Sequence, residues 1–206
     1  VEKNRIMELA YKANPAARTI CEIGPGRFCV YDWAKNKGLT YIAIDQTDIT
    51  LELVKSPNRF IVAKVPPLPD VSADIFILMN ILEHMNGPKQ ANELISQIWQ
   101  SLNFNGLIVI EVPDIRFMKQ YFWSDSVEHN YATSLQRIIL LLEEHNFEIV
   151  CKEMICGPLR LPLGYLIALP SWLLRTFYTY FLPKRYGSTV YKMAKGVSAV
   201  VIGRKK

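Results

Sequence analysis

The residues able to do chemistry begin with a short glycine turn. Glu22-Ile23-Gly24-Pro25-Gly26 closes an apolar run from Arg18 to Ile23. Glycines lack side chains, so a ligand can approach the backbone closely, and a helix beginning just beyond aims its N-terminal N–H groups at that ligand. A purely structural turn also uses glycine, so the pair alone is weak evidence. The second element is Asp45, about twenty residues on, at the end of the β-rich run Thr40 to Ile44. A carboxylate there can accept both hydroxyls of a ribose; the competing role is a turn or helix cap. The joint spacing favours a nucleoside.

Two nucleoside cofactors fit such a turn, NAD and S-adenosylmethionine. The dinucleotide fingerprint has a third glycine where the helix packs on the strand. Here Arg27, Phe28 and Cys29 follow Gly26, so that glycine is missing. Glu22 lies just before the turn, where a carboxylate would repel a pyrophosphate but suits a sulfonium beside an ammonium group. Both points favour S-adenosylmethionine. Methyl transfer from a sulfonium depends mainly on in-line placement. An oxygen acceptor can still need a base near neutral pKa, and His84 and His129 are the catalytic candidates. Each has a structural alternative: His84 as a pocket wall at a helix start, His129 as a hydrogen bond fixing the loop before Thr133. Glu83 reads more readily as a helix-dipole partner than as a base. Asp114 and Tyr121 fall in a loop expected to border the acceptor.

These residues need a scaffold that brings loops together, and the pattern supplies one. Strands are expected at 18–23, 40–44, 59–63, 73–79, 107–112, 147–155 and 197–202. Helices are expected at 28–37, 48–55, 88–102 and 133–145, the last with a capping hydroxyl and an apolar face of Leu135, Ile138, Ile139 and Leu142. Asn103 and Asn105-Gly106 mark a turn. Alternating strands and helices predict a doubly wound α/β sheet with helices on both faces. Its ligand site lies at the carboxyl ends of the strands, which gathers the loops after Ile23, Ile44, Met79 and Val112.

With these elements in place, a resemblance is plain. The turn Glu22 to Gly26 resembles the first motif of class I methyltransferases, and Asp45 their ribose-binding acid. Leu68-Pro69, Asp74-Ile75-Phe76 and Leu82-Glu83-His84 are similar to a run of that family. So are Asn105-Gly106-Leu107 and Glu111-Val112-Pro113. His129, Ser134-Leu135 and Asn146-Phe147-Glu148 resemble its ubiquinone- and polysaccharide-type branch. The likeness spans about residues 18–155 and returns near 197–204. It implies a Rossmann-like, seven-stranded, mostly parallel sheet with the last strand antiparallel. It also implies S-adenosylmethionine as cofactor: Gly24 and Gly26 under the methionine part, Glu22 ordering that region, Asp45 on the ribose, Gln46 beside the adenine, Met79 and Asn80 on the methionine side. Two departures stand out. Phe28 replaces the third glycine. Lys64 falls where many relatives place an aspartate that reads the adenine amino group, a bond lysine cannot accept.

The chain of 206 residues is the size of one domain, and no repeat or low-complexity stretch divides it. Val1 to Ala10 mixes charge with apolar residues, which is not the pattern of a signal peptide. The cysteines Cys21, Cys29, Cys151 and Cys156 form no CxxC pair, and no His/Cys cluster has zinc spacing, so reduced thiols, a cytoplasmic setting and no metal are expected. Charge is uneven. Residues 1–150 carry 14 Lys and Arg against 18 Asp and Glu; residues 151–206 carry 10 against 1. The basic end includes an apolar segment over 157–196, expected to be helical and placed before the last strand. Leu161 to Leu174 carries no charge but is too short to span a bilayer. Trp172, Phe177, Tyr178, Tyr180 and Phe181 then lead into Lys184 and Arg185. Aromatic rings beside cations suit the surface of an anionic membrane, at its inner face. A lid over the site or a homodimer face are the alternatives. The expected acceptor is therefore hydrophobic, lipid-linked or a glycan precursor. Nucleic acid is disfavoured, because the basic residues are interleaved with large apolar runs and Asn80-Ile81-Leu82-Glu83 is not the Asn-Pro-Pro-Tyr type. A non-catalytic binding module on a degenerate form of the fold is the rival reading.

Overall fold

The computed structural model describes residues 2–26, 30–52, 57–119, 121–124, 126–156, 159–160 and 197–206. The expected apolar segment over 157–196 therefore lies almost wholly outside the described residues, as do Arg27, Phe28 and Cys29.

Among the described residues the strands are β1 (Thr19–Ile23), β2 (Thr40–Asp45), β3 (Arg59–Val62), β4 (Ala73–Met79), β5 (Leu102–Pro113), β6 (Phe147–Cys156), β7 (Leu159–Arg160) and β8 (Val197–Lys205). They form one sheet in the order β3-β2-β1-β4-β5-β8-β6-β7. The first five run parallel, and β8 lies antiparallel between β5 and β6. The expected seven strands with an antiparallel last one are thus present. The two-residue β7, paired with the end of β6, adds an edge that the pattern did not suggest.

Alternation along the strands divides the interior in two. Cys21, Ile23, Ile42, Ile44, Phe76 and Leu78 face one layer, with α3 (Pro88–Ser101) and α6 (Leu135–Glu144) packed on them through Leu94, Ile98, Ile138 and Leu142. Ile20, Tyr41, Ala43, Ile75, Ile77 and Met79 face the other, covered by α1 (Glu2–Ala13) and α2 (Tyr31–Asn36). The structure adds α1, whose Ile6, Met7 and Ala10 are buried. Arg5 binds both oxygens of Glu153 on β6 at 3.2 and 2.6 Å, and Glu8 accepts from Trp33 Nε1 on α2 at 2.9 Å.

Three features differ from the expected elements. Asn103 to Gly106 was expected as a turn, yet β5 runs through it, with a register shift against β4 and Asn105 at φ +58°. The expected helix over 48–55 is a 3-10 turn at Ile49–Glu52, beyond which residues 53–56 are not described. Ser134, rather than Thr133, caps α6 by accepting from Arg137 N–H; the Thr133 hydroxyl instead donates to Pro113 O at 2.7 Å.

Two carboxylates hold the sheet at opposite ends of β1. At its start, Asp74 accepts from Arg18 N–H (2.8 Å), Thr19 N–H (2.9 Å) and Asn103 Nδ2 (2.7 Å), joining β1, β4 and β5. Partial burial pushes its pKa up, but these bonds outweigh burial and leave it below the ordinary value. At the end of β1, Glu22 is buried, accepting from the Tyr41 hydroxyl (2.5 Å) and Val30 N–H (3.0 Å). Here burial outweighs the two bonds and pushes the carboxyl up to about 7.

The signs follow. Asp74 is depressed in the folded state, so its contribution is present above the ordinary aspartate range and lost as pH falls through the lowered value. Glu22 is raised, so its contribution is complete below the ordinary glutamate range and lost as pH rises through about 7. Urea melts across pH should show both slopes. Asp74→Ala should cost about 1–3 kcal/mol at neutral pH and weaken the acid limb. Glu22→Gln should flatten the decline toward pH 7. A variant keeping the wild-type slope would contradict the assignment of that slope.

Candidate active site

At the carboxyl ends of β1, β2, β3 and β4 lies a cavity of about 440 Å³. That is within the usual size of a small-molecule site. Its walls bring together Ile23, Gly24, Gly26, Asp45, Gln46, Lys64, Asn80 and His84, drawn from four strand ends and the turn after β4.

The rim is made of backbone that L side chains rarely adopt. Gly24 stands at φ +63°, Gly26 at φ +52° and Asn80 at φ +58°. Glycine takes that region freely, and asparagine is among the few other residues that tolerate it. Gly24 N–H donates to Ile44 O at 2.8 Å, and Asn80 N–H to Glu111 O at 2.8 Å, which locks both turns to neighbouring strands. A Cβ on Gly24 would run into Ile81 Cδ1, so that glycine also lets the β4 turn close over β1. A Cβ on Gly26 would meet nothing within 4 Å, so there the backbone conformation is the requirement. Unusual backbone gathered at one cavity rim is typical of ligand sites.

Five residues singled out in the sequence stand off the cavity walls. The Glu22 carboxylate lies in the α1–α2 layer, under the turn, where it ties β1, β2 and the start of α2 together. Pro25 is buried within the turn itself. Met79 follows the alternation of Ile75 and Ile77 into the same layer, and Asn80 and Ile81 form the wall beyond it. His129 packs behind His84, with ring centroids 5.0 Å apart and planes at 66°. Asp114 faces inward rather than toward the cavity: it is fully buried, accepts from Leu135 N–H at 2.9 Å and pairs with Arg116 at 2.6 Å. The side chain of Tyr121 lies outside the described residues.

At the wall after β4, a 3-10 turn over Leu82–His84 sets two titratable groups side by side. Glu83 is buried, and burial first, then Glu111, push its carboxyl up to about 8. His84 reaches the cavity with a third of its side chain exposed. Burial, then the neighbouring His129, lower its pKa, while Glu128 raises it; the net shift is downward. His84 is thus neutral at physiological pH and able to accept a proton. Residues 128–131 are clamped to this turn, because Glu83 O accepts from Asn130 N–H (2.9 Å) and Tyr131 N–H (3.1 Å). Glu128 and Asn130 complete the cavity on this side, with Met85, Asn86 and Gln90 from the segment entering α3. Sequence reasoning passed over these five; the signal for Met85, Asn86 and Gln90 was proximity to the Leu82-Glu83-His84 run, and for Glu128 and Asn130 their place on either side of His129.

Cys21 is buried and Cys151 half-buried, and burial pushes Cys21 up to about 12. An unreactive thiol at Cys21 agrees with a core role.

The arrangement fits a nucleoside with an amino-acid arm. Asp45 and Gln46 stand at one end, the glycine turn lies between, and His84 is at the far wall. No protein-family model and no curated protein matches the sequence. Similar solved structures do exist. A SAM dependent methyltransferase from Archaeoglobus fulgidus is 14% identical, with a TM-score of 0.62 over 98% of this chain and 94% of that one. The N-methyltransferase NodS from Bradyrhizobium japonicum, in complex with S-adenosylhomocysteine, is 10% identical, with a TM-score of 0.66 over 99% and 86%. The [4+2]-cyclase SpnF is 16% identical, with a TM-score of 0.62 over 98% and 80%. At such identities the likeness speaks for architecture: the chain has the Rossmann-like fold that S-adenosylmethionine-dependent methyltransferases also have.

Proposed function

We propose that this chain is an S-adenosylmethionine-dependent methyltransferase. The observation that carries the reading is the conjunction at one cavity of two left-handed glycines, Gly24 and Gly26, with Asp45 at the next strand end. The glycines give the amino-acid arm a close approach to the backbone, and Asp45 offers charged acceptors to a ribose. Gln46 and Lys64 border the adenine end. The missing third glycine at Phe28 argues against a dinucleotide. Glu22 acts by holding the turn from beneath. When bound, the cofactor supplies a methyl group on a sulfonium. The residues of this chain orient it, and His84, held neutral, accepts a proton from an oxygen or nitrogen acceptor, with His129 positioning its ring. The cyclase among the similar structures shows that the architecture alone does not fix the chemistry. The later motifs of the ubiquinone- and polysaccharide-type branch support, but do not require, a member of that branch.

For the acceptor, we favour a hydrophobic, lipid-linked or glycan-precursor molecule presented at an anionic membrane surface. The support is the charge contrast between residues 1–150 and 151–206, and the aromatic and basic run after Leu174. No helix of the described residues is long and apolar enough to cross a membrane, so any contact made by them would be at the surface.

Calorimetry with S-adenosylhomocysteine tests the cofactor. Wild-type protein should bind it, and Asp45→Ala should weaken binding by about 2 kcal/mol through loss of charge-assisted bonds. Equal affinity in both proteins would remove the ribose assignment, and no wild-type binding at millimolar ligand would favour a non-catalytic module. Flotation with vesicles tests the surface: the chain should float with vesicles containing phosphatidylserine and stay down with neutral ones. Failure to float with either would sink the membrane part while leaving the cofactor reading intact.

A further inference from the structure

The turn after β4 holds a second constellation that the cofactor does not use. Glu83, His84 and His129 each place one ligand-capable atom within 4.8 Å of the other two. The sequence hides this grouping, because the second histidine lies far along the chain and is returned by the clamp of Asn130 and Tyr131 on Glu83 O.

Two further observations point to an ion. The first is an unpartnered buried carboxyl oxygen. Glu83 is 1% exposed, and its Oε2 has no hydrogen-bond partner among the described residues. A buried polar oxygen left without a partner is costly, and native structures rarely keep one without a use. His84 Nδ1 is also buried, and its nearest acidic oxygen, Glu128 Oε2 at 3.8 Å, is too far for a hydrogen bond. The second is the state of His129. Its Nδ1 lies 2.6 Å from Phe122 O, a carbonyl that can only accept, so Nδ1 carries the proton and Nε2 presents a lone pair. An imidazole fixed by donating to a backbone carbonyl is the usual arrangement behind a metal-ligating histidine.

We propose that Glu83, His84 and His129 form a binding site for one divalent transition-metal ion of the zinc class. Two imidazole nitrogens and one carboxylate oxygen are the donor set such ions prefer, and three protein ligands leave a coordination position open. Around one tetrahedral ion at bond lengths of about 2.0–2.2 Å, donors lie about 3.3–3.6 Å apart. The widest pair of the three groups therefore closes in by up to about 1 Å on binding. His84 also lines the cavity, so the open position faces the acceptor side. An acceptor hydroxyl or a water bound there would have a lowered pKa and would release its proton to solvent, and His84, its lone pair on the ion, would then not be the base. The site itself stands apart from the methyltransferase reading, since the ion needs no cofactor.

The test uses the full chain, stripped with chelator and then titrated with zinc chloride alone, followed by calorimetry and metal analysis. One ion per chain should bind. Co²⁺ in its place should give visible absorption typical of a four- or five-coordinate nitrogen and oxygen site. His129→Ala and Glu83→Gln should each weaken Zn²⁺ at least tenfold. Should Glu83→Gln unfold, His84→Ala at the cavity edge, checked by circular dichroism, provides the same reading. No binding to wild type, or equal binding by His129→Ala and His84→Ala, would overturn the proposal. S-adenosylhomocysteine titrated into the same samples reports separately on the cofactor site, so either reading can fail alone.

Discussion

The buried Glu22 carboxylate is the interaction on which the site depends. It sits at the last full turn of the pleat in β1, pointing away from the cavity, and draws the Tyr41 hydroxyl of β2 and the Val30 N–H before α2 onto one group. Without it, the strand end, its neighbour and the following helix would have no common anchor beneath the glycine turn. Burial is expensive for a carboxylate, and here it exceeds what two hydrogen bonds return. The fold tolerates that cost beneath a turn whose backbone must be held in a left-handed conformation on the open side.

From that anchor the rest of the cavity follows by register. β1 pairs with β2 from Thr19–Thr40 to Ile23–Ile44, so Asp45 emerges level with Gly24. β4 pairs with β1 up to Leu78–Ile23, so Asn80 and the Leu82–His84 turn emerge on the other side. Parallel strands ending together leave a crevice at their carboxyl ends, and this is where the chain concentrates its unusual backbone. Asp74 fixes the opposite end of β1, joining it to β4 and β5. The two carboxylates thus set register at both ends of β1 by different means, one through solvated, charge-assisted bonds and one through burial.

Much of this was legible in the residues. β4 matches its expected bounds because Ile75 to Met79 is an apolar run of the length and kind that suits a strand buried on both faces. The glycine turn and Asp45 fall at the cavity because spacing along two parallel strands fixes their relative height. What escaped has equally physical causes. α1 was invisible because Ile6, Met7 and Ala10 are scattered among charged residues, and its burial depends on distant partners such as Glu153. Asp114 was expected in a loop bordering the acceptor, but tertiary contacts make it a buried cap for Leu135 and Arg116. Met79 is separated from the cavity by a single step of strand alternation. The meeting of Glu83 and His84 with His129 arises from a loop clamp, which no spacing rule encodes.

In the proposed function, one cavity reads a nucleoside at Asp45 and an amino-acid arm at the glycine turn. A crystal structure of the chain soaked with S-adenosylhomocysteine checks this. The ribose hydroxyls should lie on the Asp45 carboxylate and the homocysteine arm along Gly24 to Gly26, with the sulfur directed toward His84. A ligand bound elsewhere, or seated in the cavity with its ribose away from Asp45, would contradict it.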